Sequence, residues 1–271
     1  MPHDTDAGDL WPLMQAWPFS TTDGDAPPRA RLVVAANGRR MIQLRVDIGI
    51  LQMEPQGRPD GATPHGMDSL LAYYTAEEHR NPDDTLPYKL GVEACNELQS
   101  EIHQYYNRCL AHAELRNWLG VVEDSGHILD VIDLVGEYAE ADESAWQFTQ
   151  LYPTILLQHT QARVALCKET GAYADARGLI EDAIRDLSDF FAEQYDAPAS
   201  PDAPPPHEIA ELDAMLAELE NDRPRSPEEA LREEIDRALR AENYEKAASL
   251  RDQLKRLGTR GKNKKRLHPE G

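Results

Sequence analysis

Basic residues, cysteines, aromatics and long apolar runs are all scarce in this chain, and each scarcity excludes something. Its 271 residues hold 28 Lys and Arg against 49 Asp and Glu, a formal net charge of −21. That balance argues against a protein that coats nucleic acid or an anionic membrane with its whole surface. The three cysteines, Cys95, Cys109 and Cys167, are far apart and form no C-x-x-C pair, so neither a disulfide framework nor a zinc ribbon is expected. Aromatics make up 7% of the chain, fewer than in an average globular domain, though a core can still form. No run of about 18 apolar residues occurs, so no membrane span and no membrane partner are expected. The acidic start, Met1-Pro-His-Asp, leads into no apolar stretch and does not read as a signal peptide. A soluble, cytoplasmic protein of one or two domains is the expectation, at about 100–200 residues per domain.

Catalytic signatures are missing as well. There is no G-x-x-x-x-G-K-[ST] phosphate loop, no G-x-S-x-G elbow, no G-x-G-x-x-G loop and no H-E-x-x-H pair. His103, His112, His127 and His159 fall in the helical part of the chain at no ligand spacing, and surface or core-edge positions account for them. Cys109 and Cys167 occupy apolar positions, as structural thiols do. Asp182 and Asp186 sit on a polar helix face, and Asp124 and Asp130 accompany no recognisable nucleophile. A non-enzymatic protein without cofactor or metal is therefore expected.

Charge is unevenly placed. From Arg223 to the end there are 14 Lys and Arg and 9 Asp and Glu, a net of +5, whereas residues 1–222 carry a net of −26. Arg260, Lys262, Lys264, Lys265 and Arg266 put five cations in seven positions. Such a run is a solvated tail, an arm for nucleic acid or an acidic partner, or a segment that folds back on the acidic body.

The expected fold is mainly α: an irregular α-hairpin bundle with a small N-terminal β-hairpin or meander. Residues 1–28 form a flexible acidic segment, interrupted by Trp11, Leu13, Met14, Trp17 and Phe19, which dock on the body or on a partner. Residues 29–66 hold the strands. Apolar, β-branched runs at 31–36 and 39–46 flank Asn37-Gly38, the signature of a hairpin with a type I′ turn, and 48–53 supplies a third strand. The segment Arg58-Pro-Asp-Gly61 reads as a tight turn.

Residues 67–196 are helical, with one helix at 67–78 and a long one at 88–115, whose apolar residues recur at three and four. Two stretches inside this region look alike. Trp118, Val121 and Ile128 in the first correspond to Tyr173, Ala176 and Ala183 in the second. The pattern resembles the turn and second helix of tetratricopeptide-type helix pairs. The 55-residue separation exceeds the roughly 34 of a regular array, so an irregular bundle is expected, not a solenoid.

Residues 197–207 form a linker, with five prolines between Ala197 and Pro206, and favour an extended spacer. A short helix at 208–222 follows. Residues 223–258 then read as a helix pair. Ser226 caps the first helix, Pro227 opens it and Glu229 completes a capping box. Leu231, Ile235, Ala238 and Leu239 make its apolar stripe, and Ala241-Glu-Asn243 is the turn. Tyr244, Ala247, Ala248, Leu250, Leu254 and Leu257 line the second helix, which Gly258 is placed to end before a basic tail at 259–271.

Glu242-Asn-Tyr-Glu-Lys-Ala-Ala-Ser-Leu-Arg-Asp-Gln-Leu254 resembles the UvrB/UvrC (UVR) motif, which usually reads Phe-Glu-x-Ala-Ala-x-Leu-Arg-Asp-x-Ile. Tyr244 stands in place of Phe and Leu254 in place of Ile. The resemblance implies a protein-interaction hairpin, since in repair subunits such hairpins pair with each other. The motif also occurs in activators of protein arginine kinases and in regulatory segments of Clp-type unfoldases. The residues it singles out for partner binding are Leu231, Ile235, Tyr244, Ala247, Ala248, Leu250, Arg251 and Leu254. An adaptor is the main expectation. An accessory factor in nucleotide excision DNA repair, touching phosphates through Arg260, Lys262, Lys264, Lys265 and Arg266, and a regulator of a protein kinase or Clp-type protease are the alternatives.

Overall fold

The computed structural model describes residues 10–19, 28–81, 87–194, 204–222 and 227–266. They fall into two compact units, Met1–Ala217 and Glu218–Gly271.

The first unit opens with a short helix, α1 (Trp11–Ala16), and a three-stranded antiparallel meander of order β1 (Ala30–Val34), β2 (Arg40–Val46), β3 (Gly49–Met53). The register pairs Leu32 with Ile42 and Leu44 with Leu51. Asn37-Gly38 does form the first turn, but not the type I′ turn expected. Only Gly38 of the two has a positive φ, +82°. Its N–H donates to Ala35 O at 2.8 Å, and the Asn37 side chain accepts from Arg39 N, so the glycine takes the left-handed position that closes a longer loop.

Trp17 docks on the sheet. Its indole N–H donates to Pro28 O at 2.8 Å, the Arg31 guanidinium lies 4.1 Å above its ring, and Arg45 donates to its carbonyl. Trp11 stays exposed. Residues 1–9 and 20–27 of the expected flexible segment lie outside the described residues. The opposite face of the sheet lays Ala30, Ile42, Leu44 and Met53 against Ala111 of a long helix, whose small side chain lets the sheet come close.

The helices are α2 (Leu70–His79), α3 (Val92–Glu114), α4 (Trp118–Tyr138), α5 (Asp142–Thr149), α6 (Tyr152–Thr170) and α7 (Tyr173–Gln194). The second begins later than its apolar spacing implied. Leu90 is taken up in an isolated bridge, donating to Tyr138 O and accepting from Glu140 N, so helix starts only after Gly91. Short turns make α3 and α4 one hairpin and α6 and α7 another, with α4 packed on α6 between them. Leu98, Ile102, Ile128, Val131, Val135 and Ile155 form the core where α3, α4 and α6 meet.

Residues 197–203 lie outside the described residues, and the unit boundary falls inside α8 (His207–Asp222). This helix begins against the body, where Thr154 donates to Glu208 at 3.4 Å. The second unit holds α9 (Pro227–Arg240) and α10 (Tyr244–Arg266). Pro227 is the first helical residue, as expected; the capping pair Ser226 and Glu229 lies outside the described side chains. Helix α10 runs through Gly258, its expected end, and continues to Arg266.

Candidate functional site: the C-terminal hairpin

The turn between α9 and α10 is local chemistry. Glu242 takes a left-handed conformation at φ +53°, Asn243 N donates to Ala238 O at 2.8 Å, and the Asn243 side chain accepts from Lys246 N at 3.1 Å. The first contact closes the end of α9 and the second caps the start of α10.

Two stripes then separate on α10. Ala247 and Leu250 are buried, at 2% and 7% exposure, with Leu254 half-buried. Ile235 and Ala238 of α9 are buried too, with Leu231 and Leu239 beside them half-buried. These residues form the apolar stripes of the two packed helices. Tyr244, Ala248 and Arg251 recur at four and three, one helical face over two turns, and all three are exposed, Tyr244 at 67%. The eight residues singled out by sequence therefore divide. Leu231, Ile235, Ala247, Leu250 and Leu254 belong to the apolar stripes, while Tyr244, Ala248 and Arg251 face solvent. Arg260, Lys262, Lys264, Lys265 and Arg266 ride on the helical extension of α10; their side chains lie outside the described ones.

The same turn closes both hairpins of the body. Between α3 and α4, Arg116 is left-handed at φ +54°, Asn117 N donates to His112 O at 2.9 Å, and the Asn117 side chain accepts from Gly120 N. Between α6 and α7, Gly171 is left-handed at φ +74° and Ala172 N donates to Cys167 O at 2.9 Å. An aromatic residue follows each turn, namely Trp118, Tyr173 and Tyr244, and the residue three further on is buried, namely Val121, Ala176 and Ala247. The string Arg-Asn-Trp, Gly-Ala-Tyr, Glu-Asn-Tyr carries this repeat. Sequence comparison reached only its first two members.

What differs is the cover. Trp118 and Val122 are half-buried and pack with Cys109 and Val121 beside Ala162 of α6. Tyr244 and Ala248 occupy the corresponding places on α10 and are bare.

The body also contains buried polar groups that spacing did not reveal. Arg108 grips Asp124 with two nitrogens, at 3.0 and 2.6 Å, and donates a third bond to Glu54 O. His112, on the neighbouring turn, is 3.8 Å from the same carboxylate. Glu101 is fully buried and accepts from the backbone N–H groups of Leu70 and Leu71 and from His127, with Arg58 3.4 Å away. It thereby caps α2 together with Ser69. Burial alone would raise the Glu101 pKa, but the His127 and backbone hydrogen bonds outweigh it and hold it below the usual carboxylate range.

His112 is buried, deeper than the surface or core-edge place expected of it, while His127 and His159 are half-buried at the core edge. Burial lowers the pKa of His112 and His159, keeping both imidazoles neutral at pH 7. His159 Nδ1 lies 2.9 Å from Ser125 Oγ, but that hydroxyl is fully buried and donates to Val121 O, so the pair ties α4 to α6. Burial pushes the Cys109 thiol up to about 12, away from nucleophilic behaviour. Arg58 closes a tight turn, as expected, with Gly61 N donating to Arg58 O. Among the described residues, no group of three or more His, Cys, Asp and Glu side chains is placed to hold a metal ion. None of their helices is long and apolar enough to cross a membrane.

Residues 229–260 match the family model described as the UvrB/uvrC motif. The match takes in nearly all of α9, the turn and α10 up to the first cation of the basic run. No curated protein and no solved structure matches the chain.

Proposed function

We propose that this chain is a non-enzymatic adaptor whose UVR hairpin binds a partner protein through Tyr244, Ala248 and Arg251. One observation carries the reading: an aromatic residue that the body covers at Trp118 is left bare at Tyr244, in a hairpin with the same turn and the same buried position three residues on. An aromatic beside a small residue and an arginine is a typical hot-spot composition. The apolar stripes hold few large side chains, each stabilising by about 1.5–3 kcal/mol when buried, so a short helix pair gains by burying more. The test is photocrosslinking. Benzoylphenylalanine at position 244 is expected to capture a defined protein in the native cytoplasm, and the same group at exposed Glu234, away from the stripe, is expected to capture none of it. Equal capture at both positions would sink the reading.

Involvement in DNA repair is a second reading, favoured by the continuation of α10 as helix through its five cations. It expects duplex binding that weakens steeply with salt and disappears in Lys262→Gln/Lys264→Gln/Lys265→Gln. Control of a protein kinase or a Clp-type protease is the adaptor reading with a different partner, and the identity of the captured protein decides it.

A further inference from the structure

A groove of about 760 Å³ opens on the body where α4 and α7 flank α6. Asp133 and Glu137 on α4 form one wall. Asp186, Asp189 and Glu193 on α7 form the other, spaced over about two helical turns, or roughly 10 Å. Tyr152 and Phe190 also line it, their rings 5.2 Å apart. No Lys or Arg is among the described residues that line it. Arg185 on α7 pairs with Asp182 at 2.6 Å and reaches Asp186 only at 4.0 Å. Burial, and secondarily the charge of Asp130, raise the Asp133 carboxyl above its ordinary value.

The shape narrows the occupant. The carboxylates are strung along two walls and do not converge, and no metal-holding group occurs among the described residues. Aromatic rings between acidic walls suit long side chains that have an aliphatic stem and a cationic head. We propose that this groove is the docking site for a cationic peptide segment of a partner protein, with Lys or Arg heads between the two acidic walls and their stems on Tyr152 and Phe190. The inference rests on the adaptor reading only in giving the body a partner of its own; the groove chemistry stands apart from the hairpin.

The test is fluorescence anisotropy of a fluorescein-labelled, alternating Lys-Leu octapeptide with the full chain at about 0.15 M salt. Asp133→Asn/Asp186→Asn/Asp189→Asn is expected to weaken binding about tenfold or more. A charge-matched control at the other end of the same helices, Glu123→Gln/Glu169→Gln/Asp175→Asn, is expected to stay within about twofold. Phe190→Ala, which leaves the charge unchanged, is expected to weaken binding several-fold, with circular dichroism confirming intact helix content. Equal losses in the groove variant and its control would reduce the effect to general attraction to an acidic protein and overturn the proposal, as would no loss in either. Tyr244→Ala/Arg251→Glu is expected to bind the peptide like the intact chain; a loss there would move the site to the hairpin and overturn the groove assignment. Failure of the groove and failure of the hairpin reading are thereby told apart.

Discussion

The α3/α4 hairpin and the α9/α10 hairpin are closed by the same turn and finished differently. Each has a left-handed residue, an asparagine cap and an aromatic at the head of its second helix. The body hairpin then covers its aromatic with α6 and pins the pair with a buried Arg108–Asp124 contact. The C-terminal hairpin has the apolar stripes of α9 and α10 and leaves its aromatic in water. One aromatic is packed against a neighbouring helix and the other is exposed, and the difference lies in what packs outside the second helix.

The largest expected effect breaks the packed member. Asp124→Ala would strand the Arg108 guanidinium in the interior and destabilise the body by about 3–5 kcal/mol, read from urea denaturation. The corresponding C-terminal position is apolar, so Leu250→Ala is expected to melt the hairpin while the body transition keeps its midpoint.

The aromatics sharpen the comparison. Trp118→Ala is expected to destabilise the body by about 2–3 kcal/mol, less than a fully buried ring because Trp118 is half-covered. Tyr244→Ala should change stability by no more than about 0.5 kcal/mol. Similar losses at the two sites would show that the Tyr244 ring is covered after all.

Acid should act on the body and spare the hairpin stripes. The imidazoles of His112 and His159 have lowered pKa values in the fold, so the unfolded chain takes up protons that the native chain refuses as pH drops below about 6.5. A second loss is expected below about 4.5, as Glu101 protonates through its own lowered pKa and releases the Leu70 and Leu71 N–H groups. Melting curves at pH 7, 5.5 and 4 would check both steps; a body equally stable at all three would contradict them.

The smallest effects concern the shared turn. Asn117→Ala and Asn243→Ala should each cost about 1 kcal/mol. Glu242→Gly should stabilise the hairpin by up to about 1 kcal/mol, since a left-handed L residue is strained there and glycine is not. Both are measurable as midpoint shifts.

How far the sequence could be read follows from the range of the interactions. The C-terminal hairpin was legible because its signals are local: Pro227 at a helix start, Asn243 in the turn, apolar residues at three and four. The meander was legible for the same reason, although the type I′ turn expected at Asn37-Gly38 did not form, since Gly38 alone of the two took a left-handed conformation. Residues that pair across the chain were not legible. Glu101 reads as a solvated carboxylate until α2 brings Leu70 to it, 31 positions away. Asp133 and Asp186 look like ordinary polar faces until α6 sets α4 and α7 on either side of it. The motif named eight partner-binding candidates without distinguishing the packed residues from the bare ones. Burial makes that distinction, and it makes Tyr244 and Arg251 the informative substitutions.

The most direct measurement compares three baits in a nuclease-treated native lysate: the intact chain, Tyr244→Ala/Arg251→Glu, and Glu234→Gln/Asp236→Asn as a control on the other helix. Circular dichroism would establish equal helix content, and quantitative mass spectrometry would read the captured proteins. The account predicts at least one protein held by the intact and control baits and lost from the Tyr244/Arg251 variant. Recovery of the same proteins at the same levels by all three would contradict it and leave the exposed stripe without a binding role.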